Sequence, residues 1–119
     1  MEPAHARRVC ELISGIILTD GDLHPAENEL LVRLLSRFGV SRSVETMISP
    51  AIRREEAVRA IKELPAEVRE EALDGLIEAA IVDGKVVPDE QRYLDAVARA
   101  MGVAQDVLDD RVTQRLLDG

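Results

Sequence analysis

The sequence predicts an all-α fold, a single compact bundle of about seven helices, on three observations. Apolar residues recur at three- and four-residue spacing along every long segment. No stretch alternates with the period of two that a half-buried strand needs. The third observation is a repeated passage. Asp20-Gly21-Asp22-Leu23-His24-Pro25-Ala26-Glu27 returns 63 residues later as Asp83-Gly84-Lys85-Val86-Val87-Pro88-Asp89-Glu90. Leu31 matches Leu94 in the same register, and Phe38-Gly39-Val40 matches Met101-Gly102-Val103. The chain therefore reads as two copies of one helical unit, approximately 5–64 and 65–119, related by a pseudo-twofold axis within one domain, 1–119.

The first helix is expected over 5–19, with Val9, Leu12, Ile13, Ile16 and Ile17 at helical spacing. Its apolar stripe is broad, as for a central helix touched on several sides. Gly21 stops it, because glycine accepts the left-handed conformation that ends helices. Pro25 suits the first turn of a second helix, which runs to about Arg37 with Leu30, Leu31, Leu34, Leu35 and Phe38 inward. Ser41 or Ser43 caps a short third helix bearing Val44, Met47 and Ile48, and Pro50 interrupts it. A fourth helix follows over about 51–63, facing inward with Ile52, Ala57, Val58, Ile61 and Leu64.

Pro65 begins the fifth helix, which ends near Val82. Its stripe is Val68, Ala72, Leu73, Leu76, Ile77, Ala80 and Ile81. The sixth covers about 88–101 with Tyr93, Leu94, Val97, Ala98 and Met101 inward. The seventh covers about 104–117 with Val107, Leu108, Val112 and Leu116. Gly15 and Gly75 lie inside the first and fifth helices, where glycine costs about 1 kcal/mol against alanine. A close approach of those two helices accounts for both.

A chain of 119 residues is one domain. With Phe38 and Tyr93 as its only aromatics, it offers no stacking platform for bases. The net charge is −8. Residues 1–62 carry nine acids and nine bases, whereas 63–119 carry fourteen acids and six bases, so the second half supplies the whole imbalance. Such a surface repels nucleic acid, and it either attracts a basic protein or a divalent cation or serves solubility alone. Cys10, the single cysteine, excludes an intramolecular disulfide and reads as a small core residue. The first residues lack a signal-peptide pattern, and the run Leu12–Leu18 is too short to span a membrane. A cytoplasmic location is expected.

Two readings of the repeated corner stand open. In the structural one, Gly ends a helix, Pro opens the next, and Glu27 or Glu90 occupies its third position. A carboxylate there reaches back to the cap backbone N–H and complements the helix dipole. Asp20 and Asp83 accept from free N–H groups, and Leu23 or Val86 plugs the corner. In the other reading, Asp20 and Glu27 converge on a divalent cation, as do Asp83 and Glu90. Hard oxygen ligands suit Ca²⁺, Mg²⁺ or Mn²⁺. Asp22 adds a third carboxylate to the first copy and His24 a nitrogen, so that copy is the richer site. An EF-hand is not expected. Aligning Gly21 and Glu27 with its glycine and final glutamate puts Ile16 and Leu18 where the first two ligands belong.

At these corners the sequence resembles the TerB-like family of tellurite-resistance proteins, in which an apolar helix ends in Ala-Asp-Gly and a Pro opener and Glu follow. The matching segments are Ile17-Leu18-Thr19-Asp20-Gly21 through Glu27 with Phe38-Gly39-Val40, and Ala80-Ile81-Val82-Asp83-Gly84 through Glu90 with Met101-Gly102-Val103. Thr19 and Val82 replace the small alanine before Asp-Gly. The resemblance implies an all-helical domain of roughly seven helices with internal pseudo-symmetry. It also implies a bacterial stress role near the inner membrane, beside other Ter-type proteins and involving metal ions. The family's acidic corner residues correspond to Asp20, Glu27, Asp83 and Glu90.

The expected function is a non-enzymatic stress-response module acting through protein partners, with divalent metal bound at Asp20, Asp22, Glu27, Asp83 and Glu90. The alternative is a scaffold that docks a basic partner through its acidic C-terminal half, with no metal. No Gly-rich phosphate loop, Cys–His pair or His-Glu-x-x-His spacing points to an enzyme. Exposed leucines in a homo-oligomer are compatible with the pattern, but periodicity does not say which.

Overall fold

The computed structural model describes residues 2–17, 25–37, 39, 54–82 and 86–118. The third helix expected from Ser41 to Pro50 lies outside them, as do Phe38, Ile52, Asp20, Asp22 and Asp83. Among the described residues there are six helices and no strand. They are α1 (Pro3–Ile17), α2 (Pro25–Arg37), α3 (Arg54–Glu63), α4 (Ala66–Ile81), α5 (Pro88–Ala100) and α6 (Gln105–Asp118).

Helix α1 begins two residues earlier than its periodicity suggests. Proline suits a first helical turn, and the Ala6 N–H already donates to the Glu2 carbonyl at 2.9 Å. Six consecutive residues, Leu12 to Ile17, are buried. Only a helix covered on all sides buries such a run. Its neighbours are α2, α3, α4 and α5, with α4 the most extensive. The α1–α4 pairing matches the close approach expected from the two glycines. At Gly75 a Cβ would stand 2.7 Å from Ile13 Cδ1, so the missing side chain is the space that Ile13 fills. Gly15 is buried within α1.

Pro65 stands at the cap position of α4, with φ −59° and ψ 154°, rather than inside the first turn. Arg69, one turn into α4, reaches back over this corner. Its Nε donates to the Leu64 carbonyl and its Nη2 to the Lys62 carbonyl, both at 2.7 Å. These carbonyls lie at the end of α3, where helix geometry leaves acceptors unsatisfied. One guanidinium thus closes the helix end and fixes the turn that follows.

Helix α5 ends close to its expected limit, just before a glycine. Gly102 has φ +78°, and the Val103 N–H donates to the Ala98 carbonyl at 2.9 Å, the bond that closes a helix through a left-handed residue. Gly39 follows α2 with φ +70°. Tyr93 on α5 is buried, and its hydroxyl donates to the Leu12 carbonyl of α1 at 3.2 Å. Burial pushes its phenol well above the usual range, and the nearby Glu56 carboxylate adds to the effect.

The last helix departs from expectation. Leu108 and Val112 are buried, but Val107 and Leu116 are 43% and 41% exposed. The reason is position. Helix α6 packs against α4 and α5 at the margin of the bundle, and two neighbours cover only a narrow stripe. The flank toward α4 is polar. Arg111 donates to Glu70 at 3.0 Å, and Arg115 lies 3.6 Å from Glu78.

Cys10 is fully buried in α1, as its apolar surroundings suggest. Burial, with a smaller push from Glu11, raises its thiol from about 9 to about 12. The folded state therefore keeps the proton longer than the unfolded one. This stabilisation is complete below about pH 9 and is lost as the pH rises through about 12. Iodoacetamide at about pH 8 is expected to leave Cys10 unmodified in the folded protein and to label it fully in urea, as read by intact mass. Labelling at the same rate in both states would contradict this burial.

Candidate functional site

The described parts of the two corners are their second halves, where α2 and α5 begin. Pro25 and Pro88 open these helices, and Glu27 and Glu90 are their third residues. Both glutamates are buried, at 4% and 5% exposure, although their neighbours Ala26 and Asp89 are exposed. A carboxylate is seldom buried unless it is paired or hydrogen-bonded, and neither of these stands without a partner. The free N–H groups and positive end of the helix favour negative charge at this place.

The second corner shows one of these partners. Val87 is extended, with φ −81° and ψ 156°, and its N–H donates to Glu90 Oε1 at 3.4 Å. This is the backward bond expected of a carboxylate at the third helical position, and it is long for an N–H···O bond. Valine has no side-chain acceptor, so only this half of the reciprocal cap is built. The structural reading of Glu90 therefore has direct support. Asp20, Asp22 and Asp83 lie outside the described residues. Of the five carboxylates expected to hold a metal, the structure thus locates Glu27 and Glu90, one at the start of each helix. Among the described residues no group of three or more His, Cys, Asp or Glu is placed to hold a metal ion.

The two helices correspond position by position. In α2 the buried residues are Glu27, Leu30, Leu31, Leu34 and Leu35. In α5 they are Glu90, Tyr93, Leu94, Val97 and Ala98, each 63 residues further on. Gly39 and Gly102, both with positive φ, keep the same offset.

The family model for tellurite resistance protein TerB matches residues 40–110. The chain belongs to the TerB family. The matched segment takes in α3, α4, α5 and the second corner, and the first corner precedes it. No curated protein and no solved structure matches the chain. The TerB assignment agrees with the all-helical architecture and with the resemblance carried by Asp83-Gly84 and Pro88 to Glu90.

A cleft away from the corners was not singled out by sequence. An open cleft of about 350 Å³ is lined by Arg8 of α1 and by Glu56, Arg59 and Glu63 of α3. The i, i+3, i+7 spacing of the α3 residues places them on one face, and that is the signal available in the sequence. Arg8 is held by Glu11 at 2.9 Å. The lining is charged and balanced in sign, unlike the apolar pocket with a few convergent polar groups that a small-molecule site requires. No helix among the described residues is long and apolar enough to cross a membrane.

Proposed function

We propose that this TerB-family domain is a non-enzymatic stress-response module of the tellurite-resistance type, acting through protein partners and binding a divalent cation at its acidic corners. The observation that carries the reading is the paired burial of Glu27 and Glu90 at the same position of two helices, each seven residues after a repeated aspartate in the sequence. The two halves are read as copies related by a pseudo-twofold axis. Matching burial, matching helix limits and matching left-handed glycines support that relation. In the first corner Asp20, Asp22 and Glu27 are the cation ligands, and in the second Asp83 and Glu90. Oxygen donors suit Ca²⁺, Mg²⁺ or Mn²⁺. The chain's role is then to hold the ion and present the helices around it.

Titration calorimetry with Ca²⁺, Mg²⁺, Mn²⁺ and Zn²⁺ tests this. Binding of at least one of the hard cations is expected, weakened at least tenfold in Asp20→Ala/Glu27→Ala. That size is in line with the effect of losing ligands or their supports. Circular dichroism checks that the variant keeps its helices. No heat at millimolar metal, or equal affinity in the variant, retires the metal reading.

A second reading, docking of a basic partner on the acidic half, rests on a different observation. The bases of α4 and α6 are used internally. Arg69 is spent on backbone carbonyls, and Arg111 and Arg115 face Glu70 and Glu78. Glu67, Glu71, Asp74, Asp106 and Asp110 are left as exposed acids. Capture of partners that survives high salt unchanged argues against it.

A further inference from the structure

On the outer face of α6 two exposed apolar residues, Val107 and Leu117, flank two exposed polar ones. Of the four large hydrophobic residues exposed among the described ones, Val107, Leu116 and Leu117 lie on this helix, and Leu117 is 76% exposed. Val107 and Leu117 belong to one stripe. With 3.6 residues per turn, positions 107, 110, 114 and 117 fall on the same face. The stripe reads Val107, Asp110, Gln114, Leu117, and all four are exposed. Leu108 and Val112, the buried pair, point elsewhere. Asp110 and Gln114 have no side-chain partner within the described chain, although Gln105, Asp106, Asp109, Arg111 and Arg115 on the same helix all do.

The order of the stripe is complementary to its own reverse. An antiparallel copy centred on position 112 sets Val107 against Leu117 of the second chain and Asp110 against its Gln114. The twofold axis repeats both contacts. The apolar ends cover each other, and in the middle an amide that donates meets a carboxylate that accepts. A parallel copy sets Asp110 against Asp110, which is repulsive. Antiparallel helices also align their dipoles favourably.

We propose that the TerB-family chain forms a twofold dimer through α6, with Val107–Leu117 and Asp110–Gln114 contacts across the axis. The occupant of the stripe is a second copy because the stripe is self-complementary, as an isologous interface must be. The spacing of three and four residues is that of a two-helix seam. The stripe spans about 15 Å at 1.5 Å per residue. One such seam buries less than the ~1,200 Å² of stable interfaces, so the dimer is weak and reversible. Each copy carries a net charge of −8, and added salt is expected to tighten the association by screening that repulsion. This inference is independent of metal binding, since the stripe contains none of the corner carboxylates.

Sedimentation velocity on the full chain, from micromolar to millimolar protein, tests it. A reversible monomer–dimer equilibrium is expected. Gln114→Glu sets a carboxylate opposite Asp110 and weakens the dimer on the order of tenfold, while Gln114→Lys tightens it by a similar factor. Leu117→Asp abolishes it. Both positions are exposed, so folding is unaffected, and circular dichroism verifies this. A monomer at millimolar concentration overturns the proposal. So does a dimer indifferent to all three substitutions, or an assembly that grows beyond two, because an isologous contact closes at two.

Discussion

Tyr93→Ala is expected to destabilise the domain by about 3–5 kcal/mol, the range for removing a large buried aromatic. Tyr93 is 2% exposed and among the largest fully enclosed side chains. It joins α5 to α1 through contacts between residues 81 apart in sequence. The energy lies mainly in volume. The Leu12 carbonyl that accepts the hydroxyl has two lone pairs, so losing this bond leaves a helix carbonyl still able to bond along α1. Tyr93→Phe is therefore expected to cost only about 1 kcal/mol. Urea unfolding followed by circular dichroism measures both. Equal losses in the two variants would show that the hydroxyl, and not the ring, holds the helices together. A domain of this size has about 5–15 kcal/mol in all, so the alanine variant should be close to unfolding.

Gly75→Val is expected to cost about 1–3 kcal/mol, the usual penalty for overpacking a filled core. The first added carbon already meets Ile13 Cδ1 at 2.7 Å, and Cγ1 at 3.5 Å. Gly75→Ala is a more delicate case. Alanine gains about 1 kcal/mol of helix propensity over glycine, and Ile13 Cδ1 is the far end of its side chain. The two effects oppose each other, and a net change within about 1 kcal/mol is expected. Ile13→Val removes the one carbon in the way. Gly75→Ala combined with Ile13→Val should therefore be more stable than the two single changes predict, with a coupling of at least about 0.5 kcal/mol. Strict additivity would mean that α1 and α4 adjust by moving apart, and that the glycine does not set their separation.

These two positions also show what the sequence reveals. Gly75 inside an otherwise regular helix was a visible anomaly, and its explanation was a close neighbour. Tyr93 was legible as inward-facing, because its spacing with Leu94 and Val97 gave the stripe. Its bond to Leu12 was not, because nothing local couples residues so far apart. Arg69 was equally silent. Its value lies in two carbonyls of the preceding corner, and backbone acceptors have no sequence signature of their own. Val107 and Leu116 are apolar and yet exposed for a different reason. Periodicity tells which residues of a helix are apolar, but not how many neighbours exist to cover them. Of the candidate site, the helix-opening prolines and the third-position glutamates were readable, because capping chemistry is local. The burial of Glu27 and Glu90 was not readable, since a carboxylate at a helix start is usually exposed.

The contrast between α1 and α6 has a dynamic consequence. One helix is enclosed along a turn and a half, and the other is fastened by Leu108, Val112 and a few surface ion pairs. Of the two, α6 is the helix expected to open first. Its amides can reach solvent through a partial opening, while those of Leu12 to Ile17 must wait for the whole molecule to come apart.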